Sequence, residues 1–398
     1  MNGDGFAVPW CQAGTRGDHF NFHADENENK TMRVKVRSSS LISIRAAVLR
    51  EPGRPLRIEK LEMEGPREEE VLVRLVASGI CHTDIDFCDS GAGGPVVLGH
   101  EGAGVVERVG KKVKGVRVGD HVVLSYQSCG QCRPCKTGHP ADCQRFYEAN
   151  FGFERLDGSN ALERSRVRGH FFGQSSFAKH VLVTTRNLVR VPKTLPLELL
   201  APLGCGLQTG AGTVMNSLAV KAGSIIAVFG VGAVGMAAVM AARIVGARTI
   251  IAVDIKRRRL KLALQLGATH SIDNRRAELA QRVSDITGGG VDYVVETTGD
   301  AQIHNLAADL LNPRGKMALL TGGSGTDLSG GRKVLSVIQG DAVPQRFIPK
   351  LIRLYQQGRF PFDRLIKYYP FRHINRAIAD SKHGSTIKPV LRICPEIQ

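Results

Sequence analysis

The sequence predicts an α/β protein: a doubly wound parallel-sheet domain beside a β-rich domain to which the tail returns. Three observations carry this reading. At 398 residues the chain exceeds what one hydrophobic core usually holds. Its texture changes near Leu195, from short alternating runs to strand–helix alternation. A glycine-rich turn at Gly230–Gly235 directly follows an apolar strand and opens a helix.

Residues 1–43 are polar, with five acidic and five basic side chains and no helical or strand period, and they are expected to be a disordered extension. From residue 44 to 206 short apolar runs alternate with Gly and Pro: Arg45–Leu49, Val71–Val76, Gly104–Val109, His121–Leu124 and His180–Val183. That pattern predicts an antiparallel, barrel-like domain. Residues 207–338 read as the doubly wound domain, with strands at Ser224–Phe229, Thr249–Val253, Val291–Val295 and Lys316–Leu320. Helices Val234–Val245 and Arg257–Leu266 fall between the first three strands. Residues 339–398 are mixed, end in a strand-like Pro389–Ile393, and read as the return to the first domain.

The turn Gly230-Val-Gly232-Ala-Val-Gly235 has the spacing of a dinucleotide site. The first glycine permits the turn, the second lets backbone approach a pyrophosphate, and the third lets helix pack on strand. Asp254 stands nineteen residues after Gly235, where a carboxylate accepts the adenosine ribose hydroxyls. A carboxylate there repels a 2′-phosphate, so NAD is expected, with NADP still open. The basic run Lys256–Arg259 argues for NADP, unless it is a solvated helix face, the reading preferred here.

Cys129, Cys132, Cys135 and Cys143 place four thiolates within fifteen residues, enough to close a tetrahedral shell around Zn²⁺ (lobe about 125–145). A closed shell has no open position, so this ion would be structural. Chemistry then needs a second set, and Cys81, His100 and Cys205 are the candidates. On spacing alone each is equally a buried core residue. Nine cysteines without a secretory leader point to a reducing, cytoplasmic setting. The formal charge of +17 suits nucleic acid, but it is spread along the chain with no basic helix carrying interleaved aromatics. A zinc-bearing nucleic-acid protein would leave the glycine turn with Asp254 unexplained. No apolar run is long enough for a membrane span.

Gly79-Ile-Cys-His-Thr-Asp84, Gly99-His-Glu-Gly-Ala-Gly-Val-Val106, the cysteine lobe and the glycine turn occur in one order. Together they resemble the zinc-containing medium-chain dehydrogenase/reductase family, from about Ile44 to Ile393. Phe151-Gly152, His170–Ser176 (HFFGQSS), Gly204–Gly212 (GCGLQTGAG) and Gly340–Gln345 (GDAVPQ) are most similar to the aryl-alcohol (benzyl-alcohol) dehydrogenases within it.

The resemblance implies a GroES-like catalytic domain and a Rossmann cofactor domain, two zinc ions and NAD. It implies a primary alcohol, aryl or allylic, interconverted with its aldehyde by a homodimer or homotetramer. Cys81, His100 and Cys205 would hold the catalytic zinc, with Asp84 and Glu101 behind them orienting His100. Thr83 would relay the substrate proton; His82, and less directly Lys388, would meet the cofactor pyrophosphate; Thr209 would touch the nicotinamide. Asp86 stands where the liver-type enzymes carry a relay histidine, so the proton's exit is open. A glutathione-dependent formaldehyde dehydrogenase or an NADP-linked aldehyde reductase of the same fold is the alternative.

Overall fold

The computed structural model describes residues 41–275, 278–321 and 327–394. The extension expected over 1–43 therefore lies outside the described residues up to residue 40. Its last residues are already sheet: Ile42 pairs with Met63 and Ser43 with Glu62.

A seven-stranded sheet forms the doubly wound half, running His270–Asp273, Thr249–Asp254, Ile225–Phe229, Val291–Glu296, Leu311–Leu319, Arg332–Ser336 and Asp327–Leu328 across its width. Its first six strands are parallel, and only the edge pair 327–328/332–336 is antiparallel. Ile225–Phe229 lies between the second strand of the sequence and the fourth, so the order reverses beside it. Ligands of such sheets bind at that reversal, outside the carboxyl ends of the strands. The helix Ala233–Ile244 leaves this point and is buried from Gly235 to Ala242. Its Ala and Gly side chains allow that: Gly210 of the neighbouring helix Gly206–Gly212 lies so near Val234 O that a Cβ would stand 2.0 Å from it.

The β-rich half is built on Glu70–Gly79. One edge pairs with Glu101–Val109; the other pairs first with His180–Thr184 and then with Lys388–Arg392. The expected antiparallel texture holds through most of it, but Ile366–Pro370 adds to Lys388–Arg392 in parallel. A smaller three-stranded sheet, Arg57–Met63, Ile42–Leu49 and Val96–Val97, packs into the same core. A second apolar cluster joins Val76, Ala103 and Val123 of this half to Val228, Met236 and Ile250 of the other. Among the described residues, no helix is long and apolar enough to cross a membrane.

Candidate active site

Three turns converge on one buried cluster. Glu70–Gly79 ends two residues before Cys81, which caps the helix His82–Ser90. His100 precedes the strand Glu101–Val109, and Cys205 caps the helix Gly206–Gly212. Ligand atoms of Cys81, His100, Glu101 and Cys205 all lie within 4.8 Å of one another.

Asp84 organises the set. Its Oδ1 lies 2.9 Å from His100 Nδ1 and accepts Gly99 N–H at 3.0 Å, and its Oδ2 accepts Cys81 N–H at 2.9 Å. One fully buried carboxylate thus fixes the backbone on both sides of the cluster and turns the imidazole. His100 Nε2 is buried with no hydrogen-bond partner among the described residues. A buried acceptor beside two thiols is a donor set suited to a tetrahedral Zn²⁺ with one open position. The Cys205 thiol beside Cys81 holds the Cys81 pKa well down, and Cys205 correspondingly retains its proton. Burial opposes charge on His100, but Asp84 outweighs it and the pKa is pushed up to about 10, so a zinc ion on Nε2 would take the place of a proton there.

One sequence assignment changes here. Glu101 does not orient His100: its carboxylate takes Lys388 Nζ at 2.9 and 3.0 Å and Gly206 N–H at 3.2 Å. Lys388 is tied to the cluster itself. Its ammonium is buried on Glu101 and on Ile80 O at 3.2 Å, which occupies its three donors. An unpaired carboxylate among the thiols would be costly, which is why the cation sits there.

Thr83 is half-buried in the turn after Cys81, while the His82 side chain is 83% exposed with Nε2 3.4 Å from Asp86 Oδ1. Thr209 lies one turn beyond Cys205 and donates to its carbonyl at 2.9 Å. Aromatic rings crowd the imidazole. Phe172 stacks on His100 at 4.3 Å and Phe171 meets it edge-on at 5.4 Å. Phe151 packs on Phe172 at 5.0 Å, and Phe87 and Tyr147 pack on Phe151. The HFFGQSS segment supplies the inner rings, a contact that no spacing rule reveals.

The glycine turn has the geometry its spacing implies. Gly230 has φ +78°, and a Cβ on Gly235 would stand 2.0 Å from Gly230 O. Among the described residues, a Cβ on Gly232 would meet only Arg259 Nη1, at 3.9 Å, so that face has room for a ligand. Asp254 Oδ2 accepts Val231 N–H at 2.9 Å and Oδ1 accepts Lys256 N–H at 2.8 Å. The basic run is no simple solvated face. Lys256 donates to His383 O (2.7 Å) and Arg258 to Ser385 O (2.7 Å), bridging to the turn after helix Ile374–Lys382. Arg259 stays beside Asp254 at 3.9 Å, a placement the sequence reading missed.

In the lobe the four sulfurs again lie within 4.8 Å of one another, with Cys129–Cys135 and Cys132–Cys143 both at 4.0 Å. Tetrahedral zinc with Zn–S of about 2.3 Å sets sulfurs about 3.8 Å apart. Backbone N–H groups of Cys135 and Gln144 hold the Cys132 thiol down at about 6, within reach of the thiolate form.

Residues 67–193 match the alcohol dehydrogenase GroES-like domain, and residues 233–343 match the zinc-binding dehydrogenase domain. The geraniol dehydrogenase of Castellaniella defragrans is 42% identical over 370 residues, 89% of this chain and 99% of that protein. The chain belongs to the zinc-containing medium-chain alcohol dehydrogenases. Among solved members of this family, a zinc-binding-domain alcohol dehydrogenase from Burkholderia ambifaria is 50% identical, with a TM-score of 0.85. The benzyl alcohol dehydrogenase of Acinetobacter calcoaceticus is 45% identical, also with a TM-score of 0.85. Each comparison covers 89% of this chain and 100% of the other. Membership makes the protein a zinc-dependent oxidoreductase acting on small-molecule alcohols.

Proposed function

We propose that this dehydrogenase interconverts a primary aryl or allylic alcohol, such as benzyl alcohol, with its aldehyde, using NAD. The carrying observation is an aromatic wall, Phe172 and Phe151 with Phe87 and Tyr147, built directly against the imidazole of the donor cluster. Flat, π-rich carbon chains pack on such rings better than short aliphatic ones. The geraniol and benzyl alcohol dehydrogenases among its relatives support the same class.

Cys81, His100 and Cys205 would hold the catalytic zinc, which supplies a Lewis acid that brings an alcohol's pKa toward neutrality. Asp84 keeps His100 in the tautomer with Nδ1–H toward the carboxylate and Nε2 free. Thr83, half-buried next to Cys81, takes the hydroxyl proton and passes it outward to water or to Asp86, whose side chain is 54% exposed. Cys129, Cys132, Cys135 and Cys143 would hold the structural ion. Asp254 receives the adenosine ribose. Lys256 and Arg258 are engaged at 383–385 and Arg257 lies against Asp273 at 3.5 Å, which leaves Arg259 beside the carboxylate to offset it against a 2′-phosphate. On this reading residues 44–206 and 339–398 are the catalytic domain and 207–338 the cofactor domain.

The test is nicotinamide reduction by zinc-replete protein against benzyl, cinnamyl, terpenoid and short aliphatic alcohols, and against formaldehyde with glutathione. Benzyl or allylic alcohols should lead in kcat/KM, with NAD at least about tenfold better than NADP, a difference of roughly 1.4 kcal/mol. Turnover only of the glutathione adduct would select the formaldehyde dehydrogenase reading instead. No turnover of any primary alcohol or of the glutathione adduct with either cofactor would overturn both.

A further inference from the structure

Gln339, Gly340 and Asp341 run consecutively through left-handed backbone, with φ of 54°, 64° and 47°. Two of the three carry a Cβ, so the surroundings must hold this strain in place. They do so closely. A Cβ on Gly212 would stand 2.5 Å from Gly340 O, and one on Gly340 would stand 2.7 Å from Gly212 Cα. Asn216 Nδ2 donates to Gly340 O at 3.0 Å, and the Tyr126 hydroxyl donates to Ala342 O at 2.5 Å.

What the clamped turn delivers is the buried Gln339 amide. Its Nε2 donates to Cys205 Sγ at 3.4 Å, and its Oε1 accepts Gln208 Nε2 at 2.9 Å. Gln208 Nε2 also donates to Gly204 O at 3.1 Å, a carbonyl that can only accept, and so is itself fixed as the donor end. The reverse amide orientation would set two N–H donors against each other, so the network fixes which end meets the sulfur.

We propose that Gln339 is a positioning residue for the metal centre: its N–H on the Cys205 thiolate withdraws charge from that sulfur and makes the bound cation a stronger Lewis acid. The inference rests on Cys205 being a ligand of the catalytic ion. Hydrogen bonds to a ligand tune how strongly it donates to its metal. Strain kept at a buried turn is then accounted for by the side chain it aims.

Cobalt(II) replaces zinc in the wild type, Gln339→Gly and Gln339→Leu, with thiolate-to-cobalt charge-transfer absorption, zinc affinity and kcat measured together. The component lost in Cys205→Ser isolates the buried ion. Gln339→Gly also relieves the positive φ, so its melting temperature should hold or rise, which separates ligand tuning from damage to the fold. The charge-transfer band should move to lower energy in both Gln339 variants, with kcat down about 10–100-fold and zinc held no more weakly than in the wild type. An unmoved band in both, with two ions bound per chain, overturns the proposal. A wild-type spectrum without a Cys205-dependent component overturns instead the ligand assignment beneath it.

Discussion

The two cysteine-rich sets use the same chemistry in opposite ways. The lobe collects four sulfurs from one short stretch, with Cys129, Cys132 and Cys135 only partly buried, and closes on itself. The inner cluster takes donors from three separate elements, buries His100 and Cys205 with Cys81 partly exposed, and leaves His100 Nε2 unpartnered among the described residues. A set that closes locally stabilises its own loop. One drawn from distant turns depends on the whole fold and keeps a position for substrate. Satisfied coordination and catalytic capacity are alternatives, and this chain separates them in space.

Exchanging one thiolate for a hydroxyl in each set should break that comparison most sharply. Cys205→Ser should cut kcat by more than the roughly 10–100-fold that an outer-shell change costs. NAD affinity by calorimetry and the melting temperature should stay near wild type. Cys132→Ser should do the reverse, lowering the melting temperature by about 10 °C or more, because a structural zinc contributes folding energy directly. Its surviving folded fraction should turn over within about twofold of normal. If both variants lose activity and stability in parallel, the division of labour is wrong.

The same contrast explains what the sequence could and could not reveal. The lobe and the glycine turn are legible because their donors and turns sit within one local stretch. Cys81, His100 and Cys205 are 19 and 105 residues apart, so only family likeness connects them before the fold does. The parallel sheet follows from strand–helix alternation, and its strand order is that of a dinucleotide domain. The pattern around Lys388 shows a cation at a strand end and nothing of the carboxylate 287 residues away that it meets. Gln339 gave no signal at all, since its reach to Cys205 needs a left-handed turn that composition does not encode. The Lys256–Arg259 run looked solvated because its acceptors are backbone carbonyls at 383–385, which no side-chain pattern marks.

A milder change tests whether the inner set owes its shape to one carboxylate. Asp84→Asn keeps the volume but loses the charge that holds His100, and its amide can serve only some of the three bonds. Zinc affinity or kcat/KM should fall about 10–100-fold, with the lobe's ion retained. Metal analysis showing loss of the lobe's ion instead would mean that the two sets are coupled.

The smallest effect concerns a second buried histidine whose surroundings oppose those of His100. His170 starts the turn that brings Phe171 and Phe172 onto His100, and its Nε2 accepts Ala161 N–H at 3.2 Å. Burial, then the Arg155 charge, pushes its pKa down from 6.5 to about 3. Between those values the unfolded chain binds a proton there that the folded protein does not. The stabilisation is therefore complete above the unfolded value and is lost as pH falls toward about 3. The slope from this one group is at most about 1.4 kcal/mol per pH unit. His170→Asn keeps a side chain tolerant of the φ of +60° and offers an amide oxygen as acceptor. Urea midpoints measured from pH 6.5 to 4.5 should fall less steeply in the variant than in the wild type. Equal slopes would mean that His170 does not set the acid sensitivity in this range and would leave the aromatic wall indifferent to pH.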